Sequence, residues 1–78
     1  MKKQAVFFDK AEAWEGFVPS CGCKILIVKE EDSWGVYYKI AGYSYEYAYG
    51  LTLETSYIEV CKLAVKNADY YSEVLFSE

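Results

Sequence analysis

Histidine and arginine are absent from this 78-residue sequence, and all eight basic side chains are lysines. Histidine is the usual general base and the commonest metal ligand, so its absence removes the simplest route to acid–base catalysis and to a metal centre. Arginine supplies the planar fork that binds phosphates and guanine edges, and lysine replaces it only as a point charge. Because 12 acids also give a net charge of −4, the sequence predicts no direct binding to nucleic acid.

Long apolar runs are also missing, and no stretch approaches the roughly 20 residues that span a bilayer. The apolar residues 5–8 are followed at once by Asp9, which makes this stretch too short for the apolar part of a signal peptide. We therefore expect a cytoplasmic protein with no membrane contact. The length predicts a single domain over residues 1–78.

Cysteine is scarce and odd in number, with Cys21, Cys23 and Cys61. An odd count argues against the paired disulfides of a secreted mini-protein and favours free thiols in a reducing compartment. Structural zinc takes four ligands, and neither a histidine nor a fourth cysteine is present to complete the set. We expect no metal or other cofactor, with a thiol metal or redox element as the lesser alternative.

Catalytic motifs are missing as well. Glu30, Glu31 and Asp32 are adjacent acids in a predicted turn, where such residues usually form a solvated loop. The serine and cysteine side chains have no histidine base, and neither a nucleophile elbow nor a phosphate-binding loop is present. The sequence predicts a protein that is not an enzyme.

The order of the predicted elements indicates an α+β domain. Residues 4–8 favour a short strand, and Asp9 with Glu12 forms a capping box for a helix that runs to Glu15 and ends at Gly16. A single helix over residues 3–15 is the competing interpretation. Three strands follow, over residues 23–28, 34–40 and 43–49, with Ala41-Gly42 as a hairpin signal and Gly50 closing the sheet.

A C-terminal helix follows the strands and is capped by Thr52 or by Thr55/Ser56, with Ser56 and Glu59 at capping-box spacing. Its predicted apolar stripe consists of Tyr57, Ile58, Cys61, Ala64, Val65, Ala68 and Tyr71. Asn67 is a possible C-cap, and the tail over residues 70–78 is open between further helix and an edge strand, with helix to about residue 72 favoured. The predicted fold is thus an antiparallel meander of three to four strands with helices on one face, in the order (β)αβββα.

The same helix and strand order occurs in double-stranded RNA-binding domains, which bind phosphates through lysines at the start of the last helix. In this sequence Glu54 and Glu59 stand at that position. Element order alone is weak support for a function, so the acids decide against this interpretation.

Nine tyrosines are the most distinctive feature that remains. Strict alternation places four of them, Tyr43, Tyr45, Tyr47 and Tyr49, on one face of a strand, and Tyr37 lies on the neighbouring strand. Tyrosine is enriched in protein interfaces because it buries a large area at low entropic cost. The row either packs under the helices or presents a binding surface, and the sequence leaves both open.

We therefore expect a small acidic protein-binding module that occupies a partner's surface, with the tyrosines and the acids Glu30, Glu31, Asp32 and Glu46 facing a protein with a basic surface. Its concrete form would be a phage- or mobile-element-encoded inhibitor of a bacterial enzyme or nuclease complex. The alternatives are a structural or self-associating subunit, such as a homodimer, and an antitoxin or immunity protein.

Overall fold

A computed structural model describes residues 2–4 and 12–77, which form five strands and two helices. The strands are β1 (Lys2–Gln4), β2 (Glu12–Val18), β3 (Cys23–Lys29), β4 (Ser33–Lys39) and β5 (Glu46–Thr52). The helices are α1 (Tyr57–Lys66) and α2 (Ala68–Phe76). Neither helix in this described part of the chain has the length and apolar character needed to cross a membrane.

The strands form one antiparallel sheet in which each strand pairs with its neighbours in sequence, in the order β1-β2-β3-β4-β5. Both helices follow the sheet and pack on one of its faces. The predicted class, an α+β domain with an antiparallel meander and helices on one face, is confirmed. The sheet has five strands because the N-terminal segment contributes two of them.

The helix predicted to end at Glu15 and Gly16 is wrong, because residues 12–18 form β2 and pair with β3 along their whole length. The single helix over residues 3–15 is wrong for the same reason. A capping box is a local signal, whereas Trp14 and Val18 pack with the buried residues of β3 on the core. Of the predicted first strand, Gln4 belongs to β1, and residues 5–8 and the predicted cap Asp9 lie outside the described residues.

The central strands follow the prediction closely, since β3 and β4 begin and end within one residue of the predicted bounds. The turn at Ala41-Gly42 is present, with Gly42 at φ 89° and the Tyr43 amide donating to the Ile40 carbonyl at 3.1 Å. The last strand is displaced. It begins at Glu46 rather than Tyr43, and Gly50 lies inside it rather than closing the sheet.

Of the predicted caps of the C-terminal helix, Ser56 is the one used, because its side chain accepts a hydrogen bond from the Glu59 amide at 3.2 Å. Asn67 ends α1, and the tail continues as the separate helix α2 to Phe76. Two members of the predicted stripe are wrong, since Ile58 and Val65 are exposed and Val60 is buried instead. The other five stripe residues pack on the core or belong to it.

The main core lies between the helices and the sheet. Among its side chains that are less than 2% exposed, the largest are Tyr38, Ile25 and Ile27. The Tyr38 hydroxyl donates to the Ala64 carbonyl at 2.7 Å, and the Trp34 indole donates to the Thr55 carbonyl at 2.9 Å. These two bonds attach the helical segment to the centre of the sheet. A smaller cluster on the opposite face of the sheet contains Ala13, Leu26 and Val28, with Tyr37 and Tyr45 packed against it.

Candidate functional site

The face of the sheet that carries this smaller cluster is not covered by α1 or α2, and we call it the open face. Strand register orders its residues in three rows across β2 to β5. The first row, next to the β3–β4 turn, consists of Ala13, Val28, Gly35 and Gly50. The middle row consists of Glu15, Leu26, Tyr37 and Tyr47. The third row consists of Phe17, Lys24 and Lys39.

Two tyrosines of the middle row lie over the two glycines of the first row. The rings of Tyr37 and Tyr47 meet edge to face, with centroids 5.5 Å apart. A Cβ atom on Gly35 would lie 3.2 Å from the Tyr37 ring, and one on Gly50 would lie 2.9 Å from the Tyr47 hydroxyl. The Gly35–Gly50 pair therefore makes room for the rings. Tyr47 is nonetheless 56% exposed, so its ring is available to a partner.

The acidic turn borders the same two tyrosines. The carboxyl carbon of Glu30 lies 3.8 Å from the position of a Cβ on Gly35, and the Ser33 hydroxyl donates to its Oε1 at 3.4 Å. Burial, the nearby Glu30 carboxylate and Tyr47 together raise the pKa of Tyr37. Tyr37 therefore stays neutral at physiological pH and presents a phenol rather than a phenolate.

A shallow groove continues from Tyr47 to the edge of the sheet. Its volume is about 580 Å³, and it is lined by Asp32, Ser33, Tyr47, Gly50, Leu51, Thr52 and Thr55. Glu31 and Asp32 are exposed beside it. Exposed aromatic area and negative charge thus occur together at this end of the open face.

The other predicted site residues are separated by a β-bulge in β5. Val36 pairs with Tyr49 while Tyr37 pairs with Tyr47, so Ala48 is an extra residue between them. Ala48 and Tyr49 both pack on the main core. The prediction that Tyr43, Tyr45, Tyr47 and Tyr49 share one face is therefore wrong, because the extra residue reverses the alternation.

Each displaced tyrosine has a structural partner. The Tyr49 hydroxyl lies 3.4 Å from the Tyr38 hydroxyl. Tyr43 precedes β5, and the centroid of its ring lies 5.3 Å from the centroid of the Phe76 ring. Glu46 pairs in register with the buried Tyr38, on the side away from the open face. None of these three contributes to the surface around Tyr37 and Tyr47.

Tyr45 reaches the open face and packs against it. Its hydroxyl donates to Glu15 Oε2 at 2.6 Å, across the sheet on β2. Burial, followed by this hydrogen bond to a carboxylate, raises the pKa of Tyr45. The ring packs against the smaller cluster, so Tyr45 covers apolar surface rather than presenting it.

The thiols contribute no visible reactive centre. Burial, with the neighbouring Cys21 thiol, raises the pKa of Cys23 from 9.0 to about 11, which leaves very little of the nucleophilic thiolate at neutral pH. Cys61 instead contacts Tyr57. Burial and the hydrogen bond with Cys61 raise the pKa of Tyr57 to about 12. Within residues 2–4 and 12–77, no three Cys, Asp or Glu side chains are placed to hold a metal ion.

The sequence interpretation missed the residues that shape this face, namely Gly35, Gly50, Phe17, Lys24 and Lys39. Glycines that face each other across two strands are recognisable only once the register is known, and the bulge conceals that register.

Comparison of the chain with protein-family models, with characterised proteins and with solved structures finds no match.

Proposed function

We propose that this chain is a small protein-binding module that acts by occupying a surface of another protein. The observation that carries the proposal is the exposed Tyr47 ring, held edge to face by Tyr37 beside three acids on a sheet face that the helices leave uncovered. A rigid aromatic ring buries a large area at little entropic cost, which is why tyrosine is common among interface residues of high energetic weight.

Charge complementarity defines the kind of partner. Glu30 and Asp32 border the tyrosines, with the exposed Glu31 between them in the turn, and the net charge of the chain is −4. Acids at the rim of an aromatic patch attract a lysine- or arginine-bearing surface and accelerate its association. The partner we propose is a protein with a basic rim around an apolar recess that accepts Tyr47.

A steric inhibitor of a bacterial enzyme or nuclease complex, encoded by a phage or mobile element, is the concrete form of this module. The support for it is the small size, the acidity and the absence from the sequence of histidine and of catalytic motifs. Such a protein needs only to bind and block, and a domain of this size can cover one ordinary interface of about 800 Å² per partner.

The test compares two tyrosines of nearly equal exposure on opposite sides of the domain. Tyr47 is 56% exposed on the open face, and Tyr70 is 62% exposed on α2. Wild-type chain, Tyr47→Ala and Tyr70→Ala would each be used to capture proteins from a bacterial lysate, and any captured protein would then be purified and its affinity measured.

We expect one protein to be recovered in stoichiometric amount by wild type and by Tyr70→Ala, with Tyr47→Ala binding it at least about tenfold more weakly. Glu31→Lys should slow association and reduce its dependence on salt. Equal affinity of wild type, Tyr47→Ala and Tyr70→Ala for the purified protein would refute the role of the open face. A dimer in sedimentation that dissociates on Tyr47→Ala would instead identify a second copy as the occupant.

A further inference from the structure

The third row of the open face lies at the end opposite the acidic turn. Phe17 on β2 pairs with Lys24 on β3, and Lys24 pairs with Lys39 on β4. One phenylalanine and two lysines therefore occupy neighbouring positions across three strands. None of these three residues belongs to the proposed protein-binding site around Tyr47.

The two lysines form a like-charge pair. Side chains directly opposite each other in an antiparallel sheet have Cβ atoms about 5 Å apart, and like charges at such positions are destabilising. Neither lysine forms an ion pair with a residue in the described part of the chain, and Lys39 Nζ lies 6.0 Å from the centroid of the Tyr45 ring. An anion placed between the two ammonium groups is attracted by both and removes their repulsion.

The lysines line a cleft rather than a flat surface. It has a volume of about 290 Å³ and is lined by Phe17, Gly22, Lys24, Lys39, Ile40 and Ala41. Phe17 is 60% exposed and belongs to neither apolar cluster. Gly22, at φ 65°, carries no side chain, and a Cβ there would meet only open space. Phe17, Ile40 and Ala41 therefore give the cleft an apolar part beside the two lysines.

We propose that this cleft binds a small organic anion in which a flat ring carries a phosphate or carboxylate group. Lys24 and Lys39 hold the anionic group, and the ring packs on Phe17. The volume is close to the lower end of the range for small-molecule sites, about 300–1,000 Å³, which fits a single ring with one anionic substituent. This site is independent of the protein-binding proposal.

The experiment is a nuclear magnetic resonance titration of the full chain with phenyl phosphate at low ionic strength. We expect saturable shifts confined to amides near residues 17, 22–24 and 39–41, with inorganic phosphate and phenol each binding at least about tenfold more weakly. Benzoate serves as the carboxylate probe. Its affinity relative to phenyl phosphate tells which anionic group the site prefers, and saturable binding of either supports the proposal.

The matched variants are Lys24→Gln/Lys39→Gln in the cleft and Lys62→Gln/Lys66→Gln on the exposed surface of α1. The cleft pair should weaken binding of phenyl phosphate at least about tenfold, with the helix pair leaving it unchanged. The cleft pair should also unfold at a denaturant concentration no lower than wild type, because it removes a like-charge contact. Failure of both ring-bearing probes to saturate, equal losses in the two variants, or equal affinity for inorganic phosphate would overturn the proposal.

Discussion

Tyr38 is fully buried, and its hydroxyl donates to the Ala64 carbonyl while its ring stacks on Tyr71 with centroids 5.6 Å apart. The Tyr49 hydroxyl completes the group at 3.4 Å and accepts a hydrogen bond from the Asn67 side chain. At the scale of single residues, tyrosine thus has two separate uses in this chain. Tyr38 and Tyr49 bring a polar group into the core with a partner for it, whereas Tyr47 presents its ring to solvent.

The buried tyrosines predict a loss of stability at alkaline pH. The pKa values of Tyr38, Tyr45 and Tyr57 are all raised, by burial first, whereas an unfolded tyrosine ionises near pH 10. A raised pKa means that the folded state keeps protons that the unfolded state releases. The stabilisation is complete below about pH 10 and is lost above it, by up to about 1.4 kcal/mol per pH unit for each residue.

Urea unfolding at a series of pH values measures this loss, and tyrosinate absorbance reports which state ionises. Cys23, with its pKa raised from 9.0 to about 11, adds to the loss from about pH 9 upwards. Tyr38→Phe should reduce the slope above pH 10 by about one proton equivalent. A free energy of unfolding that stays constant between about pH 9 and 11 would contradict the prediction.

At the scale of elements, the β-bulge at Ala48 determines which side of the sheet each residue of β5 faces. With the bulge, Tyr47 packs over Gly50 on the open face and Tyr49 packs on the main core. Without it, both tyrosines would face the same side. The bulge also leaves Gly50 opposite Gly35, which is the arrangement that the two tyrosine rings require.

Gly50→Ala tests this arrangement. The new Cβ would lie 2.9 Å from the Tyr47 hydroxyl and 3.2 Å from the Trp34 carbonyl oxygen. We expect the Tyr47 ring to move and the free energy of unfolding to fall by about 1 kcal/mol, the lower end of the range for overpacking, because the hydroxyl is the outer end of a side chain that is 56% exposed. Chemical denaturation measures the loss, and aromatic resonances of Tyr37 and Tyr47 report the movement.

The double variant Gly50→Ala/Tyr47→Ala completes a mutant cycle. Because the shorter contact of the new Cβ is with Tyr47, the two changes should be non-additive, and the double variant should be less destabilised than the sum of the single ones. Strict additivity would show that the Tyr47 ring does not lie over Gly50.

At the scale of the whole molecule, the helical segment completes a core that the sheet cannot close alone. Ala68 is fully buried, and Tyr71, Leu75 and Phe76 of α2 pack on the same cluster. The contacts of α2 reach β3, β4 and β5. A domain of this size has little stability in reserve, so α2 is required for the fold rather than an addition to it.

Truncation after Asn67 should therefore abolish cooperative unfolding. Each large apolar side chain contributes roughly 1.5–3 kcal/mol when fully buried, and the three side chains with Ala68 together account for several kcal/mol. Loss of the sigmoidal urea transition and binding of a hydrophobic dye are the expected readouts. In the full chain, Val74→Ala, at an exposed position of α2, should change stability by no more than about 0.5 kcal/mol. A truncated chain that unfolds at the wild-type midpoint would contradict the prediction.

Features that depend only on residues adjacent in the sequence could be predicted from the sequence. The apolar run of β3, the alternation of β4 and the Ser56 cap each follow from a few adjacent side chains, and the structure has them where they were predicted. The strand β2 was not accessible, because Asp9 and Glu12 resemble a helix cap and only pairing with β3 shows otherwise. The bulge was hidden for the opposite reason, since Tyr43 to Tyr49 alternates without a flaw in the sequence.

The candidate site was predicted in the same partial way. Tyr37, Tyr47 and the acids of the turn were named from the sequence, and the structure brings them together. The sequence also predicted three residues of this site that lie elsewhere, namely Tyr43, Tyr49 and Glu46. Proximity across strands depends on register, and one extra residue in β5 reassigns every side chain on one side of it.

The same bulge has a consequence for how the sheet ends. β5 is an outer strand, and an outer strand offers its free amides and carbonyls as a template for further strands. Where these groups are regularly spaced, strand after strand can pair at the edge, which is how fibrils grow. Ala48 interrupts the periodic spacing of those groups and increases the local twist, so an incoming strand in regular register would lose its pairing within a few residues. The residue that aims Tyr47 at the open face also makes this edge a poor seed for polymerisation.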